Sequence, residues 1–253
     1  MKSVFIFSVV LNITIQILGV HGSSRIVNGT DAEKGEFPFA VSLRYNSRHT
    51  CGGTIINERF ILSAAHCVCN DDSPRNSSYY SIQYGVIEIT QEPINTINVK
   101  KIHCNQFDSE KLIYDSAVLE LESPIPEDGS WKPVKLAENF ITEKPQTGII
   151  IGWGKTGQYK PLSRTLQKLE VEIYDDETCG ASMNNEHHIC FGAMSGGACN
   201  GDSGTALLSN NVQVGIASFI TNRCGIANKK HPNVYSRVPT YYNWINDVIN
   251  KKE

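Results

Sequence analysis

The segment Cys199-Asn200-Gly201-Asp202-Ser203-Gly204 places one serine between two glycines, in a stretch that its cysteine can hold in place. Two segments upstream belong to the same pattern. In Leu62-Ser63-Ala64-Ala65-His66-Cys67, small residues surround one histidine, and the cysteine after it can pin it. In Tyr114-Asp115-Ser116-Ala117-Val118-Leu119, an acid leads into an apolar strand, so we expect Asp115 to be at least partly buried.

Each segment alone has an ordinary structural explanation. Together, however, the three segments supply a nucleophile, a base and an acid that can orient the base. A serine hydroxyl is a poor nucleophile at neutral pH and needs an adjacent base to take its proton. Histidine titrates in the right range to be that base. A buried aspartate fixes the imidazole tautomer and stabilises the imidazolium. His66, Asp115 and Ser203 are therefore the candidate catalytic residues.

Length and charge limit the organisation of the chain and its partners. The 253 residues suffice for one large domain or two small ones that share a core. The net charge is only −3, and no Lys/Arg-rich block is present. We therefore expect neither a nucleic-acid partner nor binding to a membrane surface.

The first residues predict a secretory signal peptide over residues 1–22. Met1-Lys2 forms a short positive region, an apolar stretch runs from Val4 to Val20, and small residues follow near Gly22. No later segment is long and apolar enough to span a bilayer. The mature protein is thus expected to be secreted, extracellular and soluble.

The eight cysteines predict disulfides, because an even number behind a signal peptide is typical of an oxidising compartment. Zinc is the rival interpretation, but paired C-x-x-C arms are missing, and we expect no metal site and no cofactor. Asn28 and Asn76 stand in N-x-S/T sequons. Asn76 lies in a polar loop and is the better glycosylation site, since Asn28 is close to the expected mature terminus.

Most of the chain reads as short strands separated by turn residues, which indicates an all-β sandwich or barrels. The C-terminus differs, because its apolar residues recur at helical spacing after Thr240, a candidate N-cap. The clearest predicted strands are Ala40 to Arg44, Thr54 to Ile56, Tyr80 to Tyr84, Ile94 to Ile102, Val118 to Leu121, Gly148 to Gly152, Gln167 to Ile173 and Val212 to Ile220.

The order His, Asp, Ser and several further motifs resemble the chymotrypsin/trypsin family of serine proteases, of S1 type. The likeness runs from Ile26 to the end and is nearest to insect chymotrypsin-like proteases. An α/β-hydrolase has another triad order and needs a glycine where Thr205 stands. The motifs are Arg25-Ile26-Val27-Asn28-Gly29, Cys51-Gly52-Gly53-Thr54, Ser63-Ala64-Ala65-His66-Cys67, Gly152-Trp153-Gly154, Gly201-Asp202-Ser203-Gly204 and Pro232-Asn233-Val234-Tyr235.

The resemblance implies two six-stranded antiparallel β-barrels with an active site between them. We assign the protease domain to residues 26–253, with an N-terminal barrel over about 26–135 and a C-terminal barrel over about 136–238. A C-terminal helix is expected over about 239–252. The family pattern also pairs Cys51 with Cys67, Cys179 with Cys190, and Cys199 with Cys224. The remaining Cys69 and Cys104 are expected to bond to each other.

The resemblance further implies a role for each site residue. Ser203 would attack the peptide carbonyl, His66 would act as base and then acid, and Asp115 would orient His66. Backbone N–H groups of Gly201 and Ser203 would form the oxyanion hole. Ser218 matches the serine that supports the buried aspartate.

Activation by cleavage is implied by the same comparison. Residues 23–25 would be a short activation propeptide, cut after Arg25 by a trypsin-like activating protease. The freed amine of Ile26 would pair with Asp202 and order the site.

Several positions depart from the family pattern. Gly197 stands where trypsins have an aspartate, so cleavage after Lys or Arg is not expected. Ile220 and Asn233 match two pocket-wall glycines; we expect Ile220 to narrow the pocket and Asn233 to place an amide near its depth. Thr205 replaces a glycine, and a β-branched residue does not adopt every backbone conformation that glycine accepts. Phe219 replaces a tryptophan that contacts the substrate backbone.

Together these features predict a secreted serine endopeptidase with a chymotrypsin- or elastase-like preference for uncharged apolar residues before the cut. The alternative is a catalytically weak or inactive homologue that acts by binding. The expected partners are protein or peptide substrates, the activating protease and protein protease inhibitors. A monomer is the family default.

Overall fold

A computed structural model describes residues 26–90, 92–181 and 183–251. This part of the chain contains sixteen strands and three α-helices. The strands are β1 Thr30–Asp31, β2 Ala40–Tyr45, β3 Arg48–Asn57, β4 Phe60–Ser63, β5 Cys69–Asn70, β6 Ser73–Pro74, β7 Tyr80–Gln83, β8 Thr96–Cys104, β9 Ala117–Leu121, β10 Lys135–Leu136, β11 Gln146–Gly152, β12 Gln167–Ile173, β13 His188–Gly192, β14 Ala206–Ser209, β15 Val212–Ile220 and β16 Asn233–Arg237. The helices are α1 Ala65–Val68, α2 Asp176–Gly180 and α3 Val238–Asn250.

Twelve of these strands form two closed antiparallel barrels, as the sequence predicted. The first barrel has the order β2-β3-β4-β9-β8-β7, with β7 pairing back to β2. The second has the order β12-β11-β14-β15-β16-β13, and the β12–β13 pairing closes it. Two short strands add to the second barrel: β1 pairs with β12, and β10 runs parallel to β15. The segment Thr30–Asp31, which precedes the first barrel in the chain, therefore belongs to the sheet of the second barrel.

Both barrels are filled by β-branched and other apolar side chains that alternate with polar ones along the strands. In β12, for example, Val171 and Ile173 are buried while Glu170 and Glu172 are exposed. Two hydrophobic clusters fill the interiors: one lies within the second barrel, and the other fills the first barrel and extends to second-barrel residues such as Ile151, Leu208 and Ile216.

Helix α3 packs its apolar face against the cluster of the first barrel, through Tyr241 and Ile245. It begins at Val238 with Pro239 in the first turn, where a fixed φ and a missing N–H are tolerated. Thr240 is therefore inside the helix instead of capping it, and its hydroxyl donates to the carbonyl oxygen of Glu186.

Four disulfides join the described cysteines, in the pairs expected from the sequence: Cys51–Cys67, Cys69–Cys104, Cys179–Cys190 and Cys199–Cys224. Within the described ranges, no helix has the length and apolar character needed to cross a membrane.

Candidate active site

His66 and Asp115 form the centre of the site, at the border of the two barrels. His66 lies on α1, three residues after the end of β4, and Asp115 lies two residues before the start of β9, which pairs with β4. The Nδ1 atom of His66 lies 2.8 Å from Oδ2 of Asp115, and the His66 backbone N–H donates to Oδ1 at 2.8 Å. Two contacts between the same residues fix the orientation of the imidazole.

The Asp115 carboxylate is fully buried and supported by a third donor. The hydroxyl of Ser218, on β15, donates to Oδ2 at 2.5 Å. The hydroxyl of Ser236, on β16, donates to the Asp115 backbone carbonyl at 2.9 Å. The second barrel therefore holds an acid that the first barrel supplies.

The two side chains shift one another's pKa in opposite directions. Burial lowers the pKa of His66, but the negative charge and hydrogen bond of Asp115 outweigh it, so the pKa is raised. Burial raises the pKa of Asp115, but His66 and the hydrogen bonds to the carboxylate outweigh it, so the pKa is lowered. The pair therefore favours a carboxylate beside an imidazole that accepts a proton readily.

Ser203 is partly exposed in the turn before β14. Its backbone carbonyl accepts a hydrogen bond from Gly52 N–H at 2.7 Å, which ties the turn to the first barrel. No hydrogen bond joins its hydroxyl to the His66 ring among the contacts of these two residues. Such bonds are often long without substrate and tighten only in the complex.

Asp202, the neighbour of Ser203, points away from the surface and is buried. Its carboxylate accepts hydrogen bonds from the N–H groups of Gly154 and Cys199, at 2.8 and 2.9 Å. Burial raises the pKa of Asp202 to about 7, and these two bonds offset the effect only in part. Among the described residues, no cationic group is paired with this carboxylate.

A pocket of about 280 Å³ lies beside Ser203. Phe219 and Ile220 lie along its wall, as expected, and Tyr235 and Ala217 also contribute. The pocket lining includes no acidic side chain other than that of Asp202, which is committed to two backbone N–H groups.

Asn233 differs from the expectation that its amide would reach into the pocket. It is fully buried, accepts a hydrogen bond from Ala198 N–H at 2.8 Å and donates to the carbonyl of Ile226 at 3.0 Å. Its side chain also fills the space beside Gly197, where an added Cβ would lie 2.8 Å from Asn233 Oδ1. The Asn233 amide therefore joins backbone segments behind the pocket, and neither Asn233 nor Gly197 is part of the pocket lining.

Thr205 adopts an ordinary backbone conformation, because it is not among the described residues with positive φ. The glycine that the family has at this position is thus not needed for the backbone here. The flanking glycines do need their freedom, since Gly201 and Gly204 have φ of 97° and 80°.

His49 is a site residue that the sequence did not reveal. Its Nε2 atom lies 3.1 Å from the carbonyl oxygen of Gly201, and its Nδ1 atom lies 2.8 Å from Ser42 Oγ. The only available signal was its place two residues before the Cys51-Gly52-Gly53 motif.

The two candidate glycosylation sites are both exposed. Asn76 precedes a short 3-10 turn, Ser77–Tyr79, and its side-chain oxygen accepts from the N–H and the hydroxyl of Ser78. Arg25 and the predicted signal peptide and propeptide lie outside the described residues, whereas Ile26 is buried in the second barrel.

Two known proteins are similar to this chain over most of its length. Serine protease SP24D of Anopheles gambiae is 31% identical over 90% of this chain and 82% of its own length. Chymotrypsin-2 of Vespa crabro is 31% identical over 87% of this chain and 98% of its own.

Solved structures of the same fold are also similar. Human heparin binding protein superposes with a TM-score of 0.78 and 26% identity, covering 90% of this chain and 98% of that one. Neuropsin, a serine protease from mouse brain, gives a TM-score of 0.77 and 28% identity over 88% and 99%. The sequence profile named Trypsin matches residues 26–245. The chain therefore belongs to the trypsin family of serine proteases.

Proposed function

We propose that this protein is a secreted serine endopeptidase that cuts peptide bonds through an acyl-enzyme. The observation that carries the proposal is the His66–Asp115 pair, whose buried carboxylate is held by three donors, one of which, Ser218, lines the same pocket as Ser203. A homologue without catalytic function would be expected to lose one of the three triad residues, and this chain keeps all of them.

In the proposed mechanism, Ser203 Oγ attacks the substrate carbonyl carbon and His66 Nε2 takes the hydroxyl proton. The Asp115 carboxylate stabilises the imidazolium. The N–H groups of Gly201 and Ser203 donate to the developing oxyanion. His66 then protonates the leaving amine, the C–N bond breaks, and an ester to Ser203 remains. Water, with His66 again as base, releases the second product.

We propose a preference for small or medium apolar residues before the cut. Ile220 lines a pocket of about 280 Å³, and the Asn233 side chain fills the space beside Gly197. A Lys or Arg side chain would find no free carboxylate there, because Gly197 has no side chain and Asp202 is occupied.

Activation by cleavage after Arg25 fits two observations. Ile26 is fully buried with φ of 33°, an unfavourable value for a β-branched residue, and a chain break before it removes that constraint. The new amine would supply the positive charge that the buried Asp202 carboxylate lacks. Secretion behind a signal peptide, and a separate trypsin-like activator, belong to the same proposal.

The second candidate is a catalytically weak homologue that acts by binding. It is supported by the missing Ser203–His66 hydrogen bond and by the narrow pocket. The similar human structure is named for heparin binding, which is a property of that protein. A net charge of −3 gives this chain little attraction for such a polyanion.

A cleavage profile on a mixed peptide library distinguishes the two candidates. The protein is processed at Arg25 with trypsin, freed of trypsin, and compared with a Ser203→Ala variant treated identically. Cuts after Leu, Phe, Tyr, Ala or Val that are absent from the control support the endopeptidase. If processed protein cuts no more than the control, the binding homologue becomes the better proposal.

A further inference from the structure

We propose that the Thr205 hydroxyl is a positioning group for the oxyanion-binding amides, an inference that rests on the proposed endopeptidase function. Thr205 is 2% exposed. Its Oγ1 donates to the carbonyl oxygen of Asp202 at 2.6 Å, and its backbone N–H donates to the same oxygen at 3.0 Å. One residue therefore holds one carbonyl with two donors.

This carbonyl belongs to the peptide unit that carries the Ser203 N–H. A peptide unit is planar, and in the trans form its C=O and N–H point in opposite directions. Whatever fixes the direction of Asp202 C=O also fixes the direction of Ser203 N–H. The aim of an oxyanion donor matters, because it must meet charge that exists only in the transition state.

The second proposed donor is held in a similar way. Gly201 N–H shares its peptide unit with the Asn200 carbonyl, which accepts a hydrogen bond from Lys155 N–H at 2.8 Å. Both oxyanion amides are thus anchored through the far ends of their peptide units. Thr205 differs from Lys155 in adding a side-chain donor to a backbone donor.

Packing fixes the rotamer of Thr205. Its methyl carbon occupies the space where a Cβ on Gly52 would lie, so the side chain fits only against a glycine. A β-branched side chain has few χ1 choices, and with the methyl against Gly52 the hydroxyl is held toward Asp202. Because the family pattern has glycine at position 205, this anchor is a feature of this chain.

Two variants of processed protein test the proposal. Thr205→Val keeps the branched shape and removes the hydroxyl, and we expect kcat to fall about 3- to 10-fold with KM nearly unchanged. Thr205→Ser keeps the hydroxyl and should restore most of kcat. A peptidyl trifluoromethyl ketone, whose adduct carries an oxyanion, should bind the valine variant more weakly by a similar factor.

Thr54→Val is the matched control, because it removes another buried threonine hydroxyl, which donates to Gln213 Oε1 at 2.8 Å. It should lower stability and leave kcat unchanged. A Thr205→Val variant that keeps kcat, or a serine variant that loses as much as valine, overturns the positioning role alone. Wild-type protein that cuts no peptide overturns the proposed function and this role with it.

Discussion

The imidazole of His49 donates from Nε2 to the carbonyl oxygen of Gly201 across 3.1 Å. A carbonyl can only accept, so Nε2 carries the hydrogen, and Nδ1 is free to accept from Ser42 Oγ at 2.8 Å. Burial lowers the pKa of His49 to about 4; the Gly201 bond opposes this in part, and nearby Arg44 adds to it. The ring is therefore a neutral bridge between the first barrel and the turn that carries Ser203.

This bridge predicts a loss of stability in acid. The unfolded chain takes up a proton on His49 near pH 6.5, and the folded chain only near pH 4. The contribution of the neutral His49 ring to folding stability is therefore complete above pH 6.5 and is lost as the pH falls toward 4. We expect His49→Gln to reduce the change in the free energy of unfolding between pH 6.5 and 4 by up to about 3 kcal/mol. Solvent screening of the partly exposed ring makes this reduction smaller.

Urea unfolding between pH 4 and 7 measures this effect, in a Ser203→Ala background that prevents self-digestion. Replacement of Thr50, the exposed neighbour of His49 on β3, by Gln is the control, since it keeps the imidazole and should leave the slope unchanged. Equal slopes for wild type and His49→Gln would contradict the assignment of the neutral bridge.

The His66–Asp115 pair predicts the acid side of the activity profile. Only neutral His66 can accept the Ser203 proton, and its pKa is raised by Asp115. We expect kcat/KM of the processed protein to fall in acid with a midpoint above 6.5. Asp115→Asn should lower kcat by about 10⁴-fold, as is typical when the tautomer is no longer enforced. Asp108→Asn, which changes a partly exposed aspartate in the loop before Asp115, is the matched control. A midpoint well below 6.5 would show that burial outweighs the Asp115 charge.

Much of this site could be predicted from sequence because its motifs are local. The alternating segment Gln167–Ile173 and the largely apolar segment Val212–Ile220 correspond residue for residue to β12 and β15. The triad candidates stand in short motifs that carry their own chemistry. The fold followed from the number of such strands and from the family resemblance.

The features that could not be predicted from the sequence depend on contacts between segments that are far apart in the chain. Asn233 faces Ala198 and Ile226, so its amide is used within the wall, and no local pattern says in which direction it points. His49 acquires a role only because folding brings Gly201, 152 residues later, within hydrogen-bond distance. Likewise, β1 adds to β12 of the second barrel because pairing is decided by available sheet edges, not by order along the chain.

The pocket wall predicts a change of specificity when Ile220 is reduced. Ile220→Gly removes a side chain that lines the pocket, and we expect kcat/KM for substrates with Phe or Tyr before the cut to rise about 10-fold or more. Substrates with Ala there should change little. Ile220→Val is the control, because it keeps the branched side chain and should keep the wild-type preference. If Ile220→Gly leaves the ratio of Phe to Ala cleavage unchanged, Ile220 does not set the pocket size.

The Cys69–Cys104 disulfide predicts a larger stability loss than the Cys179–Cys190 disulfide, because it closes a longer loop. The sequence separations are 35 and 11 residues. Restriction of the unfolded chain by such loops contributes about 4 and about 3 kcal/mol, respectively. Replacing both cysteines of each pair with serine, in the Ser203→Ala background, allows the two losses to be compared by urea unfolding.

When Ser203 is retained, we expect the Cys69/Cys104 variant to lose stability but to keep its activity. The loops on either side of this disulfide are also joined by Asp72 Oδ1, which accepts from Gln106 N–H at 2.7 Å, and by Asp71, which accepts from the Ser109 hydroxyl at 2.5 Å. These contacts remain without the sulfur atoms, so we expect kcat within about threefold of wild type wherever the variant is folded. A kcat loss much beyond that, at temperatures where unfolding is absent, would mean that the disulfide itself positions His66 through the adjoining helix α1.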